Sequence, residues 1–229
     1  MKIQTKTALA ALGLAGVLLA GSASAATLAG SNVSFSFDDT QLGLFGTASI
    51  VDGNLVFAPT SFLATGTTPA TQSVNITVTA QAGYFLSGFS LVENGGYKLP
   101  GAGDMVWLQG NFTALDIEGN TSQSIASNIV GPSFTAGTQG SWQGGAALAI
   151  PATGWGGADG LVTSVSLTLN NQLFAMGAGE IWKNAITIEA IATPVPEAET
   201  YAMMLAGLGL VGFMARRRRA HLTEAGPRG

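Results

Sequence analysis

Carboxylates are almost the whole chemical inventory of residues 26–193. That span holds ten acidic residues and two lysines, Lys98 and Lys183, with no histidine, cysteine or arginine. A Ser–His–Asp triad, a thiolate nucleophile, a disulfide and an ordinary zinc site are therefore ruled out there. Phosphoryl chemistry lacks its arginine clamp and its P-loop. Two carboxylate groupings, Asp38 with Asp39 and Asp116 with Glu118, have the residue types of a glycosidase acid and base. The same spacing suits solvated turn and strand residues, and that reading is preferred. Asp116 to Asn120 reads Asp-Ile-Glu-Gly-Asn, an acidic stretch with the flavour of a calcium loop. Its glycine falls too early, and Ser127 stands where a bidentate glutamate is required. The expectation is no catalytic residue, no metal ligand and no cofactor. Trp142 (in Ser-Trp-Gln-Gly-Gly) and Trp155 (in Gly-Trp-Gly-Gly) lie in glycine-rich stretches and are the candidates for stacking on sugar rings, but the preferred reading is that they cap the ends of the sandwich core.

The elements that must position such residues are β-strands. Hydrophobic residues make up 47% of the chain and charged ones only 10%, far below the ~25% usual for soluble domains. Val33, Phe35 and Phe37 alternate with serines. Val74, Ile76 and Val78 alternate with Asn and Thr, as do Val165, Leu167 and Leu169 with Ser and Thr, and Ile186 with Ile188 around Thr187. A period of two with polar residues outward marks strands buried on one face. Asp52-Gly53 between two apolar runs signals a two-residue hairpin, and Asn94-Gly95 signals another turn. Nine or ten strands and no helical period predict an all-β fold: an antiparallel sandwich of jelly-roll type over residues 26–193. Ten acidic against two basic residues leave this span at −8, which repels phosphate backbones and argues against nucleic acid.

The two ends of the chain carry different information. Lys2 and Lys6 precede an apolar run from Ala8 to Ala20, and Ala23-Ser24-Ala25 is the small-x-small pattern of signal peptidase. Residues 1–25 are read as a signal peptide, cleaved between Ala25 and Ala26. At the other end, Tyr201 to Ala215 is 15 residues without charge, followed by Arg216, Arg217, Arg218 and Arg219. As a helix the apolar stretch spans roughly 22 Å, short against a hydrocarbon core of ~30 Å. Snorkelling arginines can make up the difference. The expectation is a single C-terminal transmembrane helix with the arginines, and the tail 220–229, on the cytoplasmic side.

Val195-Pro196-Glu197, a short spacer, one apolar helix and an arginine cluster, in that order, resemble the PEP-CTERM sorting signal of Gram-negative bacteria. The resemblance covers residues 194–219, with Ala198 where the family usually has a second proline. It implies a membrane-embedded transpeptidase, exosortase, that recognises Pro196 and Glu197 and cuts near them. Membrane attachment is then transient, and the mature protein ends at the cell surface or in the matrix. Thr193 to Glu199, with Pro194 and Pro196, is expected to be an extended linker. Val78 to Tyr97 is similar to a strand–turn–strand segment of the same protein group. Val162 to Ala175 and Ile181 to Ala190 are similar to its last strands. The functional expectation is an exported, non-enzymatic surface or matrix protein associated with exopolysaccharide and biofilm. The alternatives are a carbohydrate-binding module of that matrix and a glycan-active enzyme.

Overall fold

The computed structural model describes residues 25–119, 123–131, 133–135, 138–195 and 198–223. Ala23 and the rest of residues 1–24, together with Pro196 and Glu197, lie outside the described residues. In chain order the strands are β1 (Ala25–Ala29), β2 (Val33–Asp38), β3 (Thr47–Val51), β4 (Asn54–Ala58), β5 (Leu63–Thr65), β6 (Ala70–Ala80) and β7 (Tyr84–Lys98). They continue with β8 (Met105–Asp116), β9 (Ser124–Asn128), β10 (Ser133–Thr135), β11 (Gln139–Ala149), β12 (Ser164–Met176) and β13 (Glu180–Pro194). A helix, α1 (Ala198–Thr223), follows.

The strands form two antiparallel sheets. One has the order β1-β2-β6-β12-β8-β10, with β9 also on β8; the other has β11-β7-β13-β4-β3, with β5 also on β13. The expected all-β sandwich is the observed fold. Among the described residues, thirteen strands replace the nine or ten expected because β5, β9 and β10 are three to five residues long, too short to show a period of two. The alternating segments behave as their pattern demands. Phe35, Val78, Leu167 and Ile188 point into the core, where Phe45, Phe57 and Phe62 also meet with ring centroids 5.4–5.6 Å apart. Segments Val162 to Ala175 and Ile181 to Ala190 become β12 and β13, one in each sheet, so the last two strands tie the sandwich together.

Asp52-Gly53 closes the β3–β4 hairpin as expected, with φ of 52° and 83°. Positive φ at both central residues is the I′ turn that matches strand twist. The turn expected at Asn94-Gly95 is corrected: both residues lie inside β7, paired with β11 on one side and β13 on the other. A β-carbon on Gly95 would come within 1.9 Å of the Trp182 carbonyl oxygen and 2.7 Å of the Trp142 ring. One on Gly96 would strike the Trp182 ring. These glycines make a slot for two indoles and do not turn the chain. Gly95→Ala should therefore cost about 1–3 kcal/mol, because a backbone oxygen cannot retreat as a side chain can. Urea unfolding checks this, and parental stability in the variant would show the slot to be loose.

Candidate functional site

The structure places Asp38, Asp116 and Glu118 in supporting roles. Asp116 accepts backbone N–H bonds from Glu118 (3.0 Å), Gly119 (3.2 Å) and Gly156 (2.9 Å). Glu118 accepts the Thr163 N–H at 2.6 Å and its hydroxyl as well. These two side chains stitch the loop after β8 to the loop before β12 and do not confront each other across a cleft. Asp38 accepts from Thr40 and Gln41, and the Thr40 hydroxyl foremost holds its pKa below the usual carboxylate value. Asp39 is exposed beside it in a single 3-10 turn. Among the described residues no three histidine, cysteine, aspartate or glutamate side chains are grouped to hold a metal ion.

Both tryptophans belong to the core, as the preferred reading has it, and the sugar-stacking alternative for them is corrected. Trp142 is a strand residue of β11, only 4% exposed, and its Nε1 donates to the carbonyls of Gly96 (3.1 Å) and Trp182 (3.2 Å). Trp155 does lie in the loop between β11 and β12, but it is 5% exposed and belongs to the core. Neither offers a face to a sugar. A pair of half-exposed rings lies on the outer face of the first sheet. There Trp107 stacks on Phe174, with centroids 5.0 Å apart and planes 5° from parallel. Next along the same two strands, Gln109 pairs with Gln172 (2.7 Å between side chains), and Asn111 stands opposite Asn170. A groove of about 450 Å³ opens over these amides, bordered by Asn128 and Ile129. Among the described residues the buried Asn170 Oδ1 there has no hydrogen-bond partner, which leaves an acceptor unsatisfied. Sequence reasoning passed over this row. The signal was available: Trp107, Gln109 and Asn111 alternate with buried Val106, Leu108 and Phe112, so they share the outer face.

The tail leaves the sandwich abruptly. The expected linker from Thr193 is corrected, since β13 continues through Pro194, which pairs with Tyr84. The Val195 N–H then donates to the Gly83 carbonyl at 2.8 Å. Helix α1 begins at Ala198 and runs through the positions of Arg216 to Arg219, well beyond the expected 201–215. Among the described residues, no helix is long and apolar enough to cross a membrane. The apolar side chains from Met203 to Met214 are nonetheless exposed, as in a segment without a place in the domain core. The family model for the PEP-CTERM protein-sorting motif matches residues 194–219. The chain carries a PEP-CTERM sorting motif. The match has the same boundaries as the resemblance read from the sequence, and it marks an exported protein, targeted to exosortase and sorted through a C-terminal anchor. No curated protein matches the chain.

Within the domain that this PEP-CTERM signal delivers, one polar cluster is fully enclosed. Glu93 of β7 and Lys183 of β13 point inward from one sheet, and Asn171 of β12 points inward from the other. The Lys183 Nζ donates to Glu93 Oε2 and, at 2.8 Å, to Asn171 Oδ1; the Asn171 Nδ2 donates to Glu93 Oε1. Each partner thus touches both of the others. The rings of Trp142 and Phe62 lie 5.3 and 5.4 Å from the Nζ. Burial pushes the Lys183 pKa below its ordinary value, against the opposing pull of the Glu93 charge. Two members of the cluster were legible as polar residues on an apolar parity: Glu93 in step with Phe89 and Leu91, and Asn171 in step with Leu169 and Leu173. Lys183 was harder to read: it is in step with buried Ile181 but out of step with Ile186 and Ile188, because a bulge between Lys183 and Ala185 changes the parity of the strand.

Proposed function

We propose that this chain is a non-enzymatic protein of the bacterial surface or exopolysaccharide matrix, exported by a signal peptide and freed from its tail by exosortase. The observation that carries the reading is a PEP-CTERM motif that follows the last strand of a β-sandwich at once. The domain is the cargo, and the tail is the address. The signal peptide is proposed on Ala23, Ala25 and Ala26. Cleavage after Ala25 would leave β1 intact from Ala26, which pairs with Phe37. The arginines at 216–219 are proposed to stop export, with 220–229 kept inside. A non-catalytic role draws support from Asp116 and Glu118, whose oxygens are occupied by backbone and threonine donors. Intact-mass analysis of the exported protein tests the reading. It should give a chain starting at Ala26 and ending near Glu197. A mass that includes Met1 or the arginine cluster would refute it.

A second reading, glycan binding within that matrix, is favoured by the Trp107–Phe174 pair beside the amide groove. Aromatic faces carry sugar rings, and amides match hydroxyls in both donor and acceptor roles. On this outer face the side chains beside the groove are uncharged: Thr71 and Ser73 of β6, Thr113 of β8 and Thr168 of β12. A neutral polysaccharide is therefore the proposed ligand. In co-sedimentation with an insoluble neutral glucan, Trp107→Ala should weaken retention roughly tenfold, the equivalent of ~1.4 kcal/mol. Retention equal to the parent's would remove this reading and leave the sorting assignment untouched.

A further inference from the structure

From the contacts of Lys183, Asn171 and Glu93, we propose that the Lys183 side chain and the Asn171 side chain become joined by an isopeptide bond inside the folded sandwich, with Glu93 carrying the protons. The proposal goes beyond the sorting reading and does not depend on it. A buried ion pair alone is a poor stabiliser, because desolvation of two charges offsets their attraction. Here the third partner is a primary amide, and its carbonyl carbon is an electrophile. That carbon lies one C=O bond, about 1.2 Å, from the oxygen that accepts the Lys183 hydrogen bond at 2.8 Å. The nitrogen is thus within about 4 Å of the carbon that it would attack, close to the separation of a near-attack pair.

The step balances within the triad. Glu93 takes one proton from the Lys183 ammonium, which leaves a neutral amine and a carboxylic acid. The Nζ lone pair forms a bond to the Asn171 Cγ. A proton passes from the Nζ through the Glu93 carboxyl to the Asn171 Nδ2, and the Cγ–Nδ2 bond breaks. Ammonia leaves with that electron pair. The products are a secondary amide between Lys183 and Asn171, a neutral Glu93 and one ammonia. No oxidant and no metal take part. Glu93 is placed for this transfer because one of its oxygens meets the attacking nitrogen and the other meets the leaving nitrogen. Burial supports the reaction twice, since it favours the uncharged amine and keeps out water that would compete. It also supplies a driving force, because a dry ion pair is replaced by a neutral amide.

The bond would join β12 to β13, and so one sheet to the other, in a chain that has no cysteine for a disulfide. The bulge after Lys183 lets the lysine and the following Ile186 and Ile188 all face the core, so the site is built without breaking the apolar face of β13.

The test is the mass of the folded full chain, purified from cells, together with peptides cut after Phe174. The expected mass is one ammonia below that of the processed sequence, and a branched peptide should join the fragment holding Asn171 to the fragment holding Lys183. Glu93→Gln should keep the ammonia and yield two separate peptides. Asn171→Asp should lose water instead and reach the same final mass as the cross-linked parent. A folded parent with unmodified Lys183 and Asn171 overturns the proposal. So does an ammonia loss without the branched peptide, which would place the loss at another asparagine such as Asn94. Full cross-linking in Glu93→Gln would overturn the role of Glu93. The parent measurement decides the bond even if every variant fails to fold.

Discussion

Replacing Glu93 by Ala is expected to cost about 3–5 kcal/mol of unfolding free energy. Removing one partner leaves the Lys183 amine enclosed, with no opposite charge and one fewer acceptor. The Asn171 amide loses its acceptor at the same stroke. Against a total stability of roughly 5–15 kcal/mol, this is enough to unfold a substantial fraction of the protein in mild urea. Equilibrium urea unfolding measures it as a lower midpoint. The apolar triple variant Glu93→Leu, Lys183→Met and Asn171→Leu is the necessary companion. Well-packed apolar groups avoid the desolvation of a buried pair, so the triple should recover most of the loss. It should still fall below a parent that carries the covalent bond, and match or exceed one that does not. A Glu93→Ala protein as stable as the parent would mean that water reaches Lys183, contrary to the enclosed cluster described above.

Replacing Glu197 by Ala is expected to abolish tail removal while leaving the domain's stability within about 0.5 kcal/mol of the parent's. Glu197 follows the last strand, Glu180–Pro194, in the sequence, so the substitution falls outside the two sheets. Position matters as well as identity. Three Cα steps, at most about 11 Å, separate Val195 on the sheet from Ala198 at the start of α1. The processing enzyme must therefore work close to the end of the sandwich that carries Gly83. In cells that process other proteins of this type, Glu197→Ala should accumulate with its tail attached, seen as a larger intact mass in the membrane fraction. If the variant were trimmed and released like the parent, Glu197 would not be the recognition residue. Opening the Val195–Gly83 bond by shortening the turn before β7 should leave recognition intact, since that bond belongs to the domain.

Several features were legible in the sequence because their signals are local. Alternation at Val33 to Phe37 or Val165 to Leu169 dictates a strand with one buried face whatever it packs against, because side chains on a strand alternate by covalent geometry. Asp52-Gly53 dictates its turn, since few residues accept positive φ and the I′ geometry needs two in a row. The tail was legible for a different reason: an enzyme reads it as linear sequence, and the match at 194–219 rests on order and spacing alone. The tertiary structure decided the rest. Asn94-Gly95 carries the same local signal as a hairpin, but two neighbouring strands and two indoles claim it for the middle of β7. Trp142 and Trp155 sit among glycines that look flexible, yet both are buried in the core. Lys183 is polar, in phase with Ile181 and out of phase with Ile186 and Ile188, and a single bulge lets both parts of β13 face the core where Glu93 and Asn171 lie. Burial is a property of two surfaces meeting, and pairing partners 12 and 90 residues away leave no periodicity in the strand that they meet. One extra residue in a strand reverses the inward and outward faces beyond it, so the site at the centre of this domain depends on a register that only the assembled sheets define.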